Sequence, residues 1–286
     1  MKKDKTPFVL KIVRWIFPKL EVIAPFLAHR YFIKIFFTPL HYKVPEKEKI
    51  VAASAEKFFV HLPGKRIQCY AWGSGPMVLL VHGWAGRATQ FRVFVDVLVR
   101  EGFRVVAFDG PAHGNSEGKE TSIIEFGHVL QKIYDAVGIP ETVIAHSFGG
   151  GAVLFSAMQG LPVKRLINIA SPTIGDEIIQ SYLNAIRGSW KTGAFFKSYV
   201  QKTLGKSFDE FTSLYFIRRL PQEIDLLLVH DEDDKEVAIR HAYELKKVYP
   251  AAWVLATKGL GHTRILKDDS VIQACVTFIR TGRLED

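Results

Sequence analysis

Residues 142–151 read Thr-Val-Ile-Ala-His-Ser-Phe-Gly-Gly-Gly and predict a strand that turns sharply into a helix. The β-branched run is typical of a buried strand, and small residues follow Ser147 almost at once. A serine at such a turn holds its hydroxyl exposed at the edge of a sheet, and the helix N-terminus behind it offers N–H groups to a developing negative charge. The stretch therefore indicates a nucleophile at Ser147; the alternative is a small residue that only makes a tight turn.

The literal pattern Gly-x-Ser-x-Gly occurs elsewhere in the chain, at Gly114-Asn-Ser-Glu-Gly118. Around Ser147, Ala145 replaces the first glycine of that pattern. The pattern has meaning only between a strand and a helix, and no predicted strand leads into Ser116. We therefore interpret Ser116 as a loop residue and Ser147 as the candidate nucleophile.

A carboxylate cluster and a histidine each follow an apolar run downstream of Ser147. The run Asp225–His230 leads into the acidic residues 231–234, and the run Trp253–Ala256 leads towards His262. Open parallel sheets place their sites at the carboxyl ends of strands, and a serine triad on such a sheet has the order Ser, acid, His. Taken separately, the acidic cluster could be a solvated turn and His262 a surface histidine.

Four motifs occur in the order typical of one family. They are Val78-Leu-Leu-Val-His-Gly-Trp84, Asp109-Gly-Pro-Ala-His-Gly-Asn-Ser116, Val229-His-Asp-Glu-Asp-Asp-Lys-Glu-Val237 and Gly261-His262. With them the chain resembles an α/β-hydrolase over roughly residues 55–283. The resemblance implies the α/β-hydrolase fold, with a mostly parallel central sheet, helices on both faces and a small helical cap.

The resemblance also implies roles for particular residues. Ser147 would be the nucleophile and His262 the general base, and alignment on His230 places the acid at Asp234. Asp233 remains an alternative acid, because Asp231 stands where the family usually has glycine. The backbone N–H groups of Trp84 and Phe148 would form the oxyanion hole.

Apolar runs and helical patterns alternate along the chain, which by itself predicts an α/β domain with a mostly parallel sheet. An antiparallel pair, Glu56–Leu62 and Arg66–Trp72, is expected to begin it. The predicted organisation is a basic, apolar helical arm over residues 1–50, a hydrolase core over 55–174 and 221–283, and a helical cap insertion over 175–220.

The predicted cap is rich in aromatic residues, which could form an apolar roof over a substrate. Trp190, Phe195 and Tyr199 are its candidate substrate-binding residues, and they favour a hydrophobic acyl or alcohol group. The alternative is that these side chains only pack the cap onto the rest of the protein.

Charge is concentrated in the arm. Residues 1–50 hold 11 Lys or Arg and 4 Asp or Glu, a balance of +7, whereas the remaining 236 residues hold 27 and 25, a balance of +2. A nearly neutral core argues against nucleic acid as a partner. No stretch of the arm is apolar for long enough to span a bilayer. Two interpretations remain: residues 8–37 pack on the body, or they make a peripheral contact with an anionic membrane surface.

No metal site, nucleotide motif or cofactor is predicted. Two cysteines and no recognisable export signal favour a cytoplasmic protein. The sequence as a whole predicts a serine hydrolase that cleaves carboxylic esters with a hydrophobic group. The alternatives are a thioesterase, amidase or C–C hydrolase with the same triad, or a non-catalytic binding module on the same fold.

Overall fold

The computed structural model describes residues 8–284, with side chains from Leu10 onward, as two compact units. The smaller unit joins the described residues up to Thr38 to Ile174–Phe211, and the larger comprises Pro39–Thr173 and the residues from Thr212 onward. The arm (1–50) and the insertion (175–220) were predicted as separate segments, whereas helices of both lie in one unit here. Residues 1–7 of the predicted arm lie outside the described residues.

The larger unit contains the whole sheet seen in the described part of the chain. Its strands β1 to β8 are Glu56–Leu62, Lys65–Trp72, Met77–Val81, Arg104–Phe108, Thr142–His146, Arg165–Ile169, Asp225–Asp231 and Trp253–Thr257. Their order in the sheet is β1-β2-β4-β3-β5-β6-β7-β8. β2 pairs antiparallel with β1 and β4, and the other neighbours are parallel. The prediction of a mostly parallel sheet that begins with an antiparallel pair is confirmed.

Twelve α-helices, α1 to α12 in chain order, lie within residues 8–284. They are Phe8–Ile23, Pro25–Phe37, Glu46–Ala53, Arg92–Arg100, Ile123–Val137, Phe148–Met158, Gly175–Ile186, Trp190–Leu204, Ser213–Ile217, Arg240–Val248, Gly261–Arg264 and Asp269–Thr281. α1, α2, α7 and α8 belong to the smaller unit, and the others to the larger one. α5 and α12 begin after the N-cap residues Ser122 and Asp268, because each of these side chains accepts a hydrogen bond from the first turn of its helix.

The inner strands of the sheet are buried on both faces. On β3, Val78 and Leu80 contribute to an apolar cluster with residues of α4 and α12, whereas Leu79 and Val81 point the other way and are also buried. A parallel sheet covered on both faces needs such continuous apolar strands. This packing explains why the strands read as unbroken hydrophobic runs and why their carboxyl ends are left to carry polar side chains.

The smaller unit is a set of helices around its own apolar core. Phe17 of α1 and Phe32 of α2 are buried with Leu183 of α7 and Phe196 of α8. Glu21 joins the two segments further, since its carboxylate accepts hydrogen bonds at the start of α8. The arm and the insertion form one unit because each buries its apolar residues against the other.

Candidate active site

Ser147 occupies a strained turn between β5 and α6. Its backbone has φ 53° and ψ −123°, a conformation that costs a non-glycine residue about 1–3 kcal/mol. Two hydrogen bonds hold the turn: the Ser147 N–H donates to the Ile169 carbonyl at 2.8 Å, and the Ser171 hydroxyl donates to the Ser147 carbonyl at 2.8 Å. The surrounding structure thus maintains a conformation that presents the side chain of Ser147 away from the sheet.

Glycine is required where the turn approaches β3. A Cβ on Gly149 would lie 2.5 Å from the Val81 carbonyl oxygen, and a Cβ on Gly83 would lie 2.9 Å from the Cβ of Ser147. Real side chains do not tolerate such contacts, so only glycine allows the loop after β3 and the start of α6 to lie this close together. Ala145, in contrast, fits within β5 and is fully buried, so the departure from the usual glycine is accommodated.

His262 lies between Ser147 and Asp234. Its Nε2 is 3.1 Å from the Ser147 Oγ, and its Nδ1 is 2.8 Å from the Asp234 Oδ2. A carboxylate can only accept, so Nδ1 carries the proton and Nε2 is the nitrogen that accepts from the serine hydroxyl. The three side chains form one chain of hydrogen bonds although they come from three distant segments of the sequence.

The carboxylate of Asp234 is buried and fully bonded. Its Oδ1 accepts from the backbone N–H groups of Glu236 and Val237, at 2.8 and 3.0 Å. Burial acts to raise the pKa of Asp234, but the hydrogen bonds from His262 and from these amides outweigh it and hold the pKa below its usual value. The group is therefore ionised when it faces His262.

Asp233, the alternative acid, has a different position. It is exposed, and its Oδ2 accepts from the backbone N–H of Gly259 at 3.1 Å. The geometry brings Asp234, and not Asp233, to His262.

Asp231 holds the loop that carries His262, a function that was not predicted from the sequence. Its fully buried carboxylate accepts from the N–H groups of Gly261 and Leu260, at 2.8 and 3.0 Å, and from the Thr257 hydroxyl at 2.7 Å. It also accepts from the Asp233 N–H at 3.0 Å. In the sequence, the one sign of this role was that Asp231 stands where the family usually has glycine.

Replacing Asp231 with asparagine should loosen the loop. Asparagine keeps one acceptor oxygen and turns an NH₂ group towards donors, so we expect the free energy of unfolding to fall by about 1–3 kcal/mol. A displaced His262 should lower kcat by up to about 10²-fold with little change in KM. Urea unfolding and steady-state kinetics with a soluble ester measure both effects. Glu232→Gln, an exposed neighbour on the same turn, is the matched control and should change neither.

The same variant has an expected pH dependence. Burial acts to raise the pKa of Asp231, but its hydrogen bonds outweigh this effect and hold the pKa below its usual value. A carboxylate whose pKa is lower in the folded state than in the unfolded state stabilises the folded protein. This stabilisation is complete above the ordinary aspartate pKa of about 3.9, and it is lost as the pH falls through the lower pKa of the folded state. Asp231→Asn should therefore unfold with a weaker dependence on acid than wild type. An unchanged acid dependence would contradict this account of Asp231.

Two buried histidines support the site without contacting the Ser147 hydroxyl. His146 Nε2 donates to the backbone carbonyl of His262 at 2.9 Å, and His230 Nε2 donates to the Val237 carbonyl at 2.8 Å. Burial lowers the pKa of His146 to about 3, and it also lowers the pKa of His230. Both rings are thus neutral donors that anchor the loops carrying His262 and Asp234.

Two further histidines brace the turn after β3. His82 Nδ1 donates to the Gly83 carbonyl at 2.7 Å, and its Nε2 accepts from the Gly110 N–H at 2.8 Å. His113 Nε2 accepts from the N–H of Ala85 at 3.1 Å. Burial lowers the pKa of His113 to about 4, so its Nε2 remains an acceptor at neutral pH. These rings hold the segment that contains Trp84.

The two residues predicted for an oxyanion hole lie close to Ser147 in the fold. Phe148 is the first residue of α6, directly after Ser147, and Trp84 follows Gly83, whose backbone contacts the same turn. The rings of Trp84 and Phe148 meet edge to face with centroids 5.2 Å apart. Both residues are partly exposed.

Ser116 is bonded within its own loop. Its hydroxyl donates to the Asp109 carbonyl at 2.5 Å and accepts from the Gln68 N–H at 2.9 Å. The literal Gly-x-Ser-x-Gly match thus lies in a loop, as its sequence context indicated.

The three predicted substrate-binding residues lie on α8, in the smaller unit. Trp190 is 41% exposed, Phe195 stacks on His29 with centroids 4.1 Å apart, and Tyr199 packs against the core of the unit. Contact with a substrate stays a prediction for all three.

No cluster of three or more His, Cys, Asp or Glu side chains suited to a metal ion occurs within residues 8–284. Cys69 and Cys275 are free, buried thiols. Burial raises the pKa of Cys69 to about 12, so this thiol stays protonated.

Comparison with known proteins agrees with this architecture. A family model described as alpha/beta hydrolase fold matches residues 76–187. Protein phosphatase methylesterase 1 of Rattus norvegicus is 32% identical over 136 residues, which are 43% of this chain and 35% of that protein. The chain thus spans about a third of the length of this curated relative.

Solved structures show the same fold over most of the chain. An esterase of Pyrococcus furiosus has a TM-score of 0.63 at 17% identity, over 85% of this chain and 96% of its own. An epoxide hydrolase of Vigna radiata has a TM-score of 0.58 at 14% identity, over 80% of this chain and 98% of its own. At these identities the likeness concerns the fold, which carries more than one activity.

Proposed function

We propose that this chain, which belongs to the α/β-hydrolase family, is a serine hydrolase that cleaves carboxylic esters. One observation carries the proposal: Ser147, His262 and Asp234 form a continuous chain of hydrogen bonds with contacts of 3.1 and 2.8 Å. The order of donors and acceptors along this chain is the one that activates a serine hydroxyl. A binding module would have no need of a strained serine aligned with a base and a buried carboxylate.

The proposed reaction has two halves. Ser147 Oγ attacks the ester carbonyl while His262 Nε2 takes its proton, and Asp234 stabilises the resulting imidazolium. The N–H groups of Trp84 and Phe148 stabilise the oxyanion. His262 then gives the proton to the leaving alcohol, which departs and leaves Ser147 acylated. Water attacks this acyl-enzyme while His262 takes its proton, and His262 then returns that proton to Ser147 Oγ as the acyl–oxygen bond breaks and the carboxylic acid is released.

A hydrophobic group on the substrate is supported by the surroundings of Ser147. Trp84 and Phe148 are both partly exposed, and Phe126 extends the aromatic cluster, with its centroid 5.0 Å from that of Phe148. Covering exposed aromatic surface with an apolar acyl or alcohol group is favourable. The similarity to protein phosphatase methylesterase 1, which is named as an esterase, supports an ester as the bond that is cleaved.

A set of matched substrates tests the bond class. We expect the highest kcat/KM with the ester when the same medium-chain acyl group is offered as an ester, a thioester and an anilide. His262→Ala should abolish turnover of all three, because each needs the same base. Higher kcat/KM for the thioester or the anilide would replace the ester assignment. No turnover by folded wild type, with ligand binding unchanged in His262→Ala, would favour a binding module.

A cytoplasmic location is part of the proposal. It is supported by Cys69 and Cys275, which are both free thiols, as is usual in a reducing compartment.

A further inference from the structure

The arm helices α1 and α2 leave a large apolar surface exposed. We call it the outer face, and it consists of Ile12, Trp15, Ile16, Val22, Ile23, Phe26, Leu27 and Tyr31, each at least 41% exposed. The exposure is greatest where the two helices meet: Val22 and Ile23 are each 82% exposed. Single exposed apolar residues are ordinary, but eight large ones on two consecutive helices mark a surface suited to another apolar phase.

The charges around the outer face are all of one sign. Between Leu10 and Phe37 the exposed charged side chains are Lys11, Lys19, Arg30 and Lys34. The one acidic residue of this range, Glu21, is partly buried and binds the start of α8. The exposed charges that α1 and α2 themselves carry over residues 10–37 are therefore all basic, which is complementary to an apolar phase covered by negative charge.

The basic side chains next to the junction lie over aromatic rings. Lys19 Nζ is 3.2 Å from the ring centroid of Trp15, and the Arg30 guanidinium carbon is 5.7 Å from that of Phe26. Long cationic side chains can cover apolar surface with their stems and then extend their charged ends to a polar boundary. Trp with Lys or Arg is also the combination found where a protein meets the headgroup region of a bilayer.

The outer face is not needed for the core of the smaller unit. The inward residues Phe17, Ala28 and Phe32 are buried, whereas those of the outer face lie on the opposite sides of the same helices. No helix within residues 8–284 is long and apolar enough to cross a membrane. A helix pair of this kind can lie along a bilayer with one face in the headgroup region.

We infer that the outer face of α1 and α2 binds the surface of an anionic lipid bilayer. Val22, Ile23, Phe26 and Leu27 enter the boundary between headgroups and acyl chains, and Lys19 and Arg30 contact lipid phosphates. This surface lies on residues other than the proposed triad, so the inference holds whether or not the protein hydrolyses esters.

Co-sedimentation of the full chain with vesicles tests the inference. We compare vesicles of phosphatidylcholine alone with vesicles that also contain phosphatidylglycerol, and we expect strong binding only to the latter. The double variant Val22→Asp/Ile23→Asp should lower partitioning at least about tenfold, because charge replaces the inserted apolar groups. Ile139→Asp is the matched control: Ile139 is 65% exposed in the larger unit, and its replacement should not change binding.

A second pair of variants tests the charge. Each basic residue near an anionic surface contributes about fivefold to partitioning, so Lys19→Glu/Arg30→Glu should lower it by at least about 25-fold. Lys119→Glu/Lys206→Glu changes the net charge equally at exposed positions outside α1 and α2, and it should have a much smaller effect. Thermal unfolding followed by circular dichroism checks that all variants fold.

Three results would overturn the inference. They are no binding of wild type to the anionic vesicles, equal binding to both kinds of vesicle, and unchanged binding of Val22→Asp/Ile23→Asp. The alternative is that a second copy of the chain covers the outer face, and light scattering after gel filtration would detect such a dimer. A wild-type dimer that Val22→Asp/Ile23→Asp dissociates, without vesicle binding by either protein, would assign the outer face to self-association and contradict the membrane inference.

Discussion

Ser147→Ala should abolish covalent labelling by a fluorescent fluorophosphonate and lower ester turnover on the order of 10⁴- to 10⁶-fold. The reason is local: the Ser147 Oγ is the hydroxyl 3.1 Å from His262 Nε2, in a turn strained to φ 53°. Without that oxygen the remaining groups can polarise a carbonyl but cannot form an acyl-enzyme. In-gel fluorescence and single-turnover kinetics measure the two effects.

Ser116→Ala is the matched control, because Ser116 lies in the literal Gly-x-Ser-x-Gly pattern. Its hydroxyl joins Asp109 to Gln68 within a loop, so its loss should lower stability modestly and leave labelling intact. Labelling that persists in Ser147→Ala, or that disappears in folded Ser116→Ala, would assign the nucleophile to another residue.

Asp234→Asn should lower kcat by about 10⁴-fold while the protein stays folded. The carboxylate of Asp234 can only accept, so it keeps the His262 proton on Nδ1 and leaves Nε2 to accept from Ser147. An asparagine amide that donates to Nδ1 would favour the opposite tautomer, whose Nε2 carries a proton and cannot act as the base. The buried carboxylate that would stabilise the imidazolium is lost as well.

Asp233→Asn separates the two adjacent aspartates. Asp233 is exposed and bonds the Gly259 amide, so its replacement should change kcat by less than about tenfold. Thermal unfolding first checks that both variants are equally stable. Their kinetic constants then decide which aspartate is the acid. A large loss in Asp233→Asn together with a small loss in Asp234→Asn would reverse it.

The sheet was predictable because local pattern and tertiary packing agree along most strands. β5 is β-branched and apolar because both of its faces are buried, and α5 and α12 begin after residues that cap helices in any context. The turn at Ser147 was predictable for a similar reason: glycines must follow a turn that lies this close to β3. The resemblance of four motifs then supplied the order of the proposed triad.

The choice between Asp233 and Asp234 required the tertiary structure. Neighbouring carboxylates on one turn have the same chemistry, and only the direction of each side chain decides which one meets His262. Asp231 was missed because its partners at residues 257–261 are backbone N–H groups and a hydroxyl, and a backbone donor has no signature in the sequence. The proposed oxyanion-hole donors, which are also backbone N–H groups, are subject to the same limit.

The sequence by itself determined the fold class, the position of the candidate nucleophile and base, and the apolar, basic character of the arm. Each of these depends on residue type and local spacing, which are read directly along the chain. Only the tertiary structure decided that Asp234 faces His262, that Asp231 holds its loop, and that α1 and α2 share a core with α7 and α8. These are contacts between residues far apart in sequence, and their geometry depends on how the whole chain packs.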